Sequence, residues 1–182
     1  MVQAIGLVEL ISIAKGIEAA DAMLKAAQVE LLEAKPTCPG KYLVLVCGNV
    51  AAVQSAVDTG KNVGDYAVID DFILPNVHPA VISAISAASP VTAVRALGII
   101  ETFSVASLVV AADIAAKAGN VELIEVRTGS GIGGKSFVTL TGDVSSVKSS
   151  VEAGAVWASE KGMLVEKVVI ASPHELLKTS IL

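Results

Sequence analysis

The residue in this chain best placed to do chemistry is Cys38, within Lys35-Pro36-Thr37-Cys38-Pro39-Gly40-Lys41. Each proline fixes its own φ and biases the residue before it toward extended backbone, and Gly40 can take the positive φ that closes a turn. The thiol is therefore predicted on a stiff reversal between two strand-like runs, Val29 to Lys35 and Tyr42 to Cys47. Iron–sulfur clusters typically use four thiolates, so one such thiol acquires a ligand role only if several copies of it meet. Otherwise it is a free surface thiol. Cys47 ends a Val- and Leu-rich run and reads as a small buried hydrophobe. No disulfide to Cys38 is expected, because the extended run from Lys41 to Cys47 spans roughly 20 Å, against a limit of about 7 Å between bridged Cα atoms.

A second stretch, Gly129-Ser130-Gly131-Ile132-Gly133-Gly134-Lys135-Ser136, satisfies both G-x-G-x-x-G and G-x-x-x-x-G-K-S. Either pattern binds phosphate only when a helix follows and turns its N-terminus to the anion. Here the β-branched run Phe137 to Gly142 follows, so a flexible glycine loop is predicted and nucleotide binding is not. His78 precedes Pro79 and His174 follows Pro173, each at the start of a short predicted helix, which points to capping or packing. No nucleophile, base and orienting group can be assembled from these residues, and no enzymatic activity is expected. Trp157 is expected in the core or at an interface.

The elements that must position these residues follow from composition and repetition. Hydrophobic residues make up 53% of the 182 positions and aromatics 3%, with a mean hydropathy of +0.70. Such a chain is short of polar cover for an isolated globule, which implies burial against other copies. A membrane span is excluded, because the uncharged run Phe72 to Val94 contains Pro75, Pro79 and Pro90. The first apolar run carries Glu9 and lacks a preceding cationic segment, unlike a signal peptide. Two cysteines then indicate a reducing cytoplasm. The net charge of −5, without basic blocks, argues against nucleic acid.

Residues 4–35 align without gaps on 96–127, with fourteen of the 32 positions identical, and Lys41/Lys135, Gly48/Gly142 and His78/His174 extend the match. Two homologous domains are predicted, 1–88 and 93–182, joined near Ser86 to Arg95. Each reads as strand Ala4 to Glu9, a Ser12 N-cap, and a helix carrying Ile13, Ile17, Ala20 and Leu24 on one face. The two strands and their turn follow, then a helix from Val50, a strand near Val68 to Leu74, and a short helix after His78. The order β-α-β-β-α-β predicts an α+β fold, two tandem ferredoxin-like units, each a four-stranded antiparallel sheet with helices on one face.

The segments A-I-G-L-V-E, I-E-A-A-D-A-M-L-K-A-A and V-E-L, with a terminal P-H or V-H-P, resemble the bacterial microcompartment shell (BMC) domain. Two of them in one chain resemble the tandem-domain shell proteins that form pseudo-hexagonal trimers. The resemblance implies a structural tile of a microcompartment shell within the cytoplasm, a homotrimer packed with other shell proteins. It also implies that the turn after the second strand lines the central pore. Pro36, Thr37, Cys38, Pro39 and Gly40 would then alternate with Gly129, Ser130, Gly131, Ile132 and Gly133, while Lys25 and Lys117 would lie at tile edges. For Lys25, an i,i+4 pair with Asp21 is the simpler expectation. The turn T-C-P-G-K further resembles that of tandem shell proteins of propanediol utilisation, which carry an iron–sulfur cluster at the pore. This implies a [4Fe–4S] cluster shared by three subunits through Cys38, with lumenal redox enzymes as partners. Zinc, a metabolite-conducting pore without a cluster, and a soluble ferredoxin-like regulator are the alternatives.

Overall fold

The computed structural model describes residues 3–129 and 131–182. The first repeat runs β1 (Ala4–Leu10), α1 (Ile13–Ala26), β2 (Glu30–Thr37), β3 (Lys41–Gly48), α2 (Val50–Gly64), β4 (Val68–Pro75) and α3 (Pro79–Ile85). The second runs β5 (Ala96–Thr102), α4 (Val105–Ala118), β6 (Val121–Arg127), β7 (Ser136–Gly142), α5 (Val144–Glu160), β8 (Leu164–Ile170) and α6 (Glu175–Ile181). The sheets have the orders β2-β3-β1-β4 and β6-β7-β5-β8, and every pairing is antiparallel. This is the α+β arrangement expected from the repeat.

Strand β1 is buried along its whole length. Ala4, Val8 and Leu10 pack with Ala19, Ala20 and Met23 of α1 and Val53, Ala56 and Val57 of α2, while Ile5 and Leu7, on the opposite face, are equally buried. Cover on both faces is why the strand reads as continuously apolar rather than alternating. Helix starts obey local chemistry. Ser12 Oγ accepts from the Lys15 amide at 3.3 Å, as the sequence predicts, and Ser104 Oγ accepts from the Ser107 amide at 3.2 Å. The His78 and His174 Nδ1 atoms accept from the amides of Ala80 and Leu176, each at 3.2 Å. Both histidines are N-caps.

The predicted apolar stripe of α1 needs correction. Gly16, Ala19, Ala20 and Met23 form its buried side, whereas Ile13, Ile17 and Leu24 are exposed. Three of the four inward positions are Gly or Ala, which lets the helix lie close to the sheet, and the larger aliphatic residues Ile13, Ile17 and Leu24 mark a second, outward face.

Two close approaches set the depth of the core. A Cβ on Gly6 would stand 2.5 Å from Val57 Cγ2 and 2.6 Å from Val53 Cγ1, and one on Gly98 would stand 2.6 Å from Val151 Cγ2. The repeats diverge one layer away. In the first, Gly16 makes room for Tyr42, whose ring atom Cδ1 would lie 2.4 Å from an added Cβ. In the second, the equivalent positions hold Leu108 and Ser136, both fully buried. Bulk has moved from strand to helix.

By contacts the chain divides into residues 1–77 and 78–182. Helix α3, which repeat equivalence assigns to the first copy, packs on β6 and α4 of the second unit. The connection after it is held rather than loose. Ser89 Oγ donates to Leu123 O at 2.6 Å, and Val91 and Val94 pack with Leu97, Ile124 and Ile181.

Gly16→Ala is expected to cost about 1–3 kcal/mol by overpacking against Tyr42, read by urea unfolding. Gly16→Leu combined with Tyr42→Ser should be more stable than Gly16→Leu alone. A loss below about 0.5 kcal/mol for Gly16→Ala, the level of an ordinary surface change, would contradict this packing account.

Candidate functional site

The β2–β3 hairpin carries its last ladder pair at Thr37↔Lys41. The Gly40 N–H donates to Thr37 O at 2.9 Å, the Cys38–Pro39 bond is cis, and Gly40 has φ 87°. A cis proline at the third position of a turn closed by this hydrogen bond defines a type VI turn. Cys38 is half-exposed and unbonded to any other cysteine. Pro36 belongs to strand β2 rather than to the turn, paired to Tyr42, and Thr37 ends the strand as the first residue of the turn. Strand β2 is a sheet edge, where a missing N–H can be tolerated. Thr37 is buried, and its Oγ1 has no hydrogen-bond partner among the described residues.

The corresponding β6–β7 turn is built differently. Gly129, Gly131, Gly133 and Gly134 all have positive φ, between 66° and 82°, and the Lys135 N–H donates to Ile132 O at 3.3 Å. Ser130 lies outside the described residues. Strand β7 follows, not a helix. The phosphate-loop pattern is therefore coincidental, and its serine, Ser136, is fully buried.

Beneath both turns lies the same ion pair. Lys41 Nζ stands 3.3 Å from Glu9 Oε1, and Lys135 Nζ stands 2.9 Å from Glu101 Oε1. Burial pushes the Glu9 carboxyl above its ordinary pKa, Lys41 counteracts this, and Asp70 on β4 adds a smaller upward push. Cys47 is fully buried, as expected, and burial raises its thiol pKa.

The two lysines expected at edges are held unequally. Lys25 pairs with Asp21 at 2.6 Å, both side chains exposed. Lys117 pairs at 2.6 Å with a buried Asp113 that also accepts the His78 N–H at 2.7 Å. The equivalent aspartates thus do different work, since Asp113 secures the start of α3. Trp157 is half-buried, with Lys161 Nζ 5.9 Å from its ring centroid.

No group of three or more His, Cys, Asp or Glu is placed to hold a metal within one chain, among the described residues. One feature escapes the sequence reading. A cavity of about 480 Å3 opens on the β6–β7 face, lined in part by Arg127, Phe137, Thr139, Ile124, Val91 and Ile181. Arg127 pairs with Glu125 at 2.6 Å and lies over Phe137, 5.3 Å from its centroid. The visible signal is the replacement of Leu43 and Leu45 in the first repeat by Phe137 and Thr139 in the second.

The architecture is that of a doubled shell domain, and the BMC-domain profile matches residues 4–77 and 96–173. The chain belongs to this family, with two BMC domains in tandem. It is a structural shell protein of a bacterial microcompartment. It is 50% identical over 175 residues to the bacterial microcompartment shell protein PduT of Citrobacter freundii, covering 96% of this chain and 95% of that one. PduA of the same organism is 38% identical over 80 residues, 42% of this chain and 84% of PduA. The crystal structure of a microcompartment protein from Desulfitobacterium hafniense DCB superposes with a TM-score of 0.96 at 71% identity, covering 98% of this chain and 99% of that one. No helix among the described residues is long and apolar enough to cross a membrane.

Asp113→Ala should cost roughly 1–3 kcal/mol by leaving the part-buried His78 N–H without its acceptor. Asp21→Ala, which breaks an exposed pair, should cost less than about 1 kcal/mol. Equal losses in chemical unfolding would contradict the assignment. Glu9 supplies a pH test. A carboxyl with a raised folded pKa keeps its proton to higher pH when folded than when unfolded, so its contribution to stability falls as pH rises through that window. Glu9→Gln should make the stability curve above the ordinary glutamate pKa fall less steeply than in wild type.

Proposed function

We propose that this shell protein is a homotrimeric tile whose pore holds a [4Fe–4S] cluster through Cys38 of three chains, linking the shell to electron or cluster transfer. The observation that carries the reading is the presentation of Cys38, a free, half-exposed thiol on a hydrogen-bonded proline turn, in the first repeat only. The donor set fits in kind and in number, since thiolates are the usual cluster ligands and three chains supply three, leaving one iron for another ligand. When bound, the cluster supplies one-electron redox chemistry, and the protein's part is to hold three thiolates on stiff turns. Packing with other shell proteins and exchange with lumenal redox enzymes complete the proposal. Lys25, on its exposed pair, and Lys117 are the proposed tile-edge contacts.

A second reading, a metabolite-conducting pore without a cluster, draws on the glycine turn. Added Cβ atoms at Gly131 and Gly133 would meet nothing within 4 Å, so that turn leaves space unfilled.

Anaerobically purified wild type should contain iron and acid-labile sulfide and show a dithionite-dependent EPR signal. Cys38→Ser should lose all three while keeping its oligomeric mass. A mutant that retains the chromophore would overturn the assignment, and zinc without sulfide would replace the cluster by a zinc site.

A further inference from the structure

Thr37 stands immediately before Cys38, and its carbonyl closes the turn by accepting the Gly40 N–H at 2.9 Å. The residue is 5% exposed, and its Oγ1 is shut off from solvent with no hydrogen-bond partner among the described residues. A hydroxyl withdrawn from water loses its bonds to water, and the fold carries that cost unless an acceptor is found. Buried polar side chains are nearly always paired, so this one calls for an acceptor. Ser136, Thr139 and Ser150 are also unpartnered, but they belong to the second repeat, which has no cysteine. Thr128, which leads into the glycine turn, is 1% exposed and has a partner. Burial at a hairpin root therefore does not in itself leave a threonine unpaired. The unpaired one is the one beside the thiol.

We infer, on the reading that Cys38 holds a cluster, that the Thr37 hydroxyl donates a hydrogen bond to the Cys38 thiolate and so sets the reduction potential of that cluster. A neutral thiol is a weak acceptor, whereas an iron-bound thiolate carries the negative charge that strengthens an O–H···S bond. Rotation about χ1 can re-aim a threonine hydroxyl without moving the backbone that pins the turn. Reduction adds one electron to the cluster, and a donor directed at a ligating sulfur stabilises the form with the extra negative charge. Hydrogen bonds to the sulfurs are among the features that set cluster potentials. Thr37 touches no iron in this scheme. It acts through Cys38, once per chain, and raises the potential.

The test compares the full-length wild type with Thr37→Val, which keeps the shape and removes the hydroxyl, and with Thr37→Ser, which keeps the hydroxyl. Each is purified anaerobically, assayed for iron and acid-labile sulfide, and titrated with dithionite while the EPR signal of the reduced cluster is followed. Thr37→Val should keep wild-type iron and sulfide and titrate at a lower potential, and Thr37→Ser should titrate with the wild type. Urea unfolding after removal of iron by a chelator separates the hydroxyl from packing. There Thr37→Val should be at least as stable as wild type, because it buries no unpaired hydroxyl. An unmoved potential in Thr37→Val, or an equal fall in Thr37→Ser, overturns the inference and leaves the cluster reading standing. A chelated Thr37→Val clearly less stable than wild type does the same, since the hydroxyl would then have a partner within the chain. Loss of the cluster from Thr37→Val alone supports the contact, and loss from both variants overturns it. Wild type with neither iron nor sulfide overturns the cluster reading and this inference together.

Discussion

The structure depends on how closely a central strand can approach the helix beside it. At Gly6 the missing side chain admits Val53 and Val57 of α2 to positions that any Cβ would occupy, and Gly98 does the same for Val147 and Val151 of α5. Strand β1 is paired on both sides, to β3 from Ala4↔Gly48 to Leu10↔Tyr42 and to β4 from Ala4↔Pro75 to Leu10↔Val68. Its depth and register are therefore passed to both neighbours. A one-residue slip would turn Val44 and Val46 off the helix-facing side of the sheet and Leu43 and Leu45 onto it. The turn bearing Cys38 is placed by this register, since β3 begins three residues after the cysteine.

Duplication exposes which parts of the frame are fixed and which are free. The glycine contacts, the Ser12 and Ser104 caps, the histidine caps and the Glu–Lys pairs recur in both copies. The exchange of Gly16 and Tyr42 for Leu108 and Ser136 shows the core tolerating redistribution when total volume is nearly kept. Freedom is greatest at the turns, where a proline turn in one copy becomes a run of glycines in the other. Nothing in the sheets requires either solution.

Much of this was legible in the chain. Gap-free self-alignment revealed the tandem units, and local rules found Ser12, the positive φ of Gly40 and the Asp21–Lys25 pair, because such features depend on neighbours within four residues. The phosphate-loop pattern fails in the sequence for the reason the structure repeats, the strand after it. What escaped depends on distant segments. Pro36 in an edge strand, the outward face of α1 and the anchoring of α3 by Asp113 cannot be read from periodicity. A stripe at helical spacing does not say which of two apolar faces meets the sheet, and Asp113 resembles Asp21 until the His78 amide is placed beside it.

The recurrence of the ion pair below both turns bears on how the cysteine should be understood. Glu9 with Lys41 and Glu101 with Lys135 tie the central strand to the root of each hairpin, whatever the loop above contains. A pair shared by a cysteine turn and a glycine turn belongs to the scaffold, not to the chemistry of either. The chemical difference between the copies is then confined to a few residues on equivalent roots, where substitution costs the fold little. Because the thiol of Cys38 occurs on one root of two, the number of turn cysteines in any assembly equals the number of chains, while the number of turns is twice that. A ring of three would offer three thiolates and three pliable glycine turns. A ring of six identical single domains with a cysteine in each turn would present six thiolates, more than the four a [4Fe–4S] cluster uses. Duplication followed by divergence at a single turn is thus a direct route from a symmetric ring to the lower thiolate number that the proposed site requires.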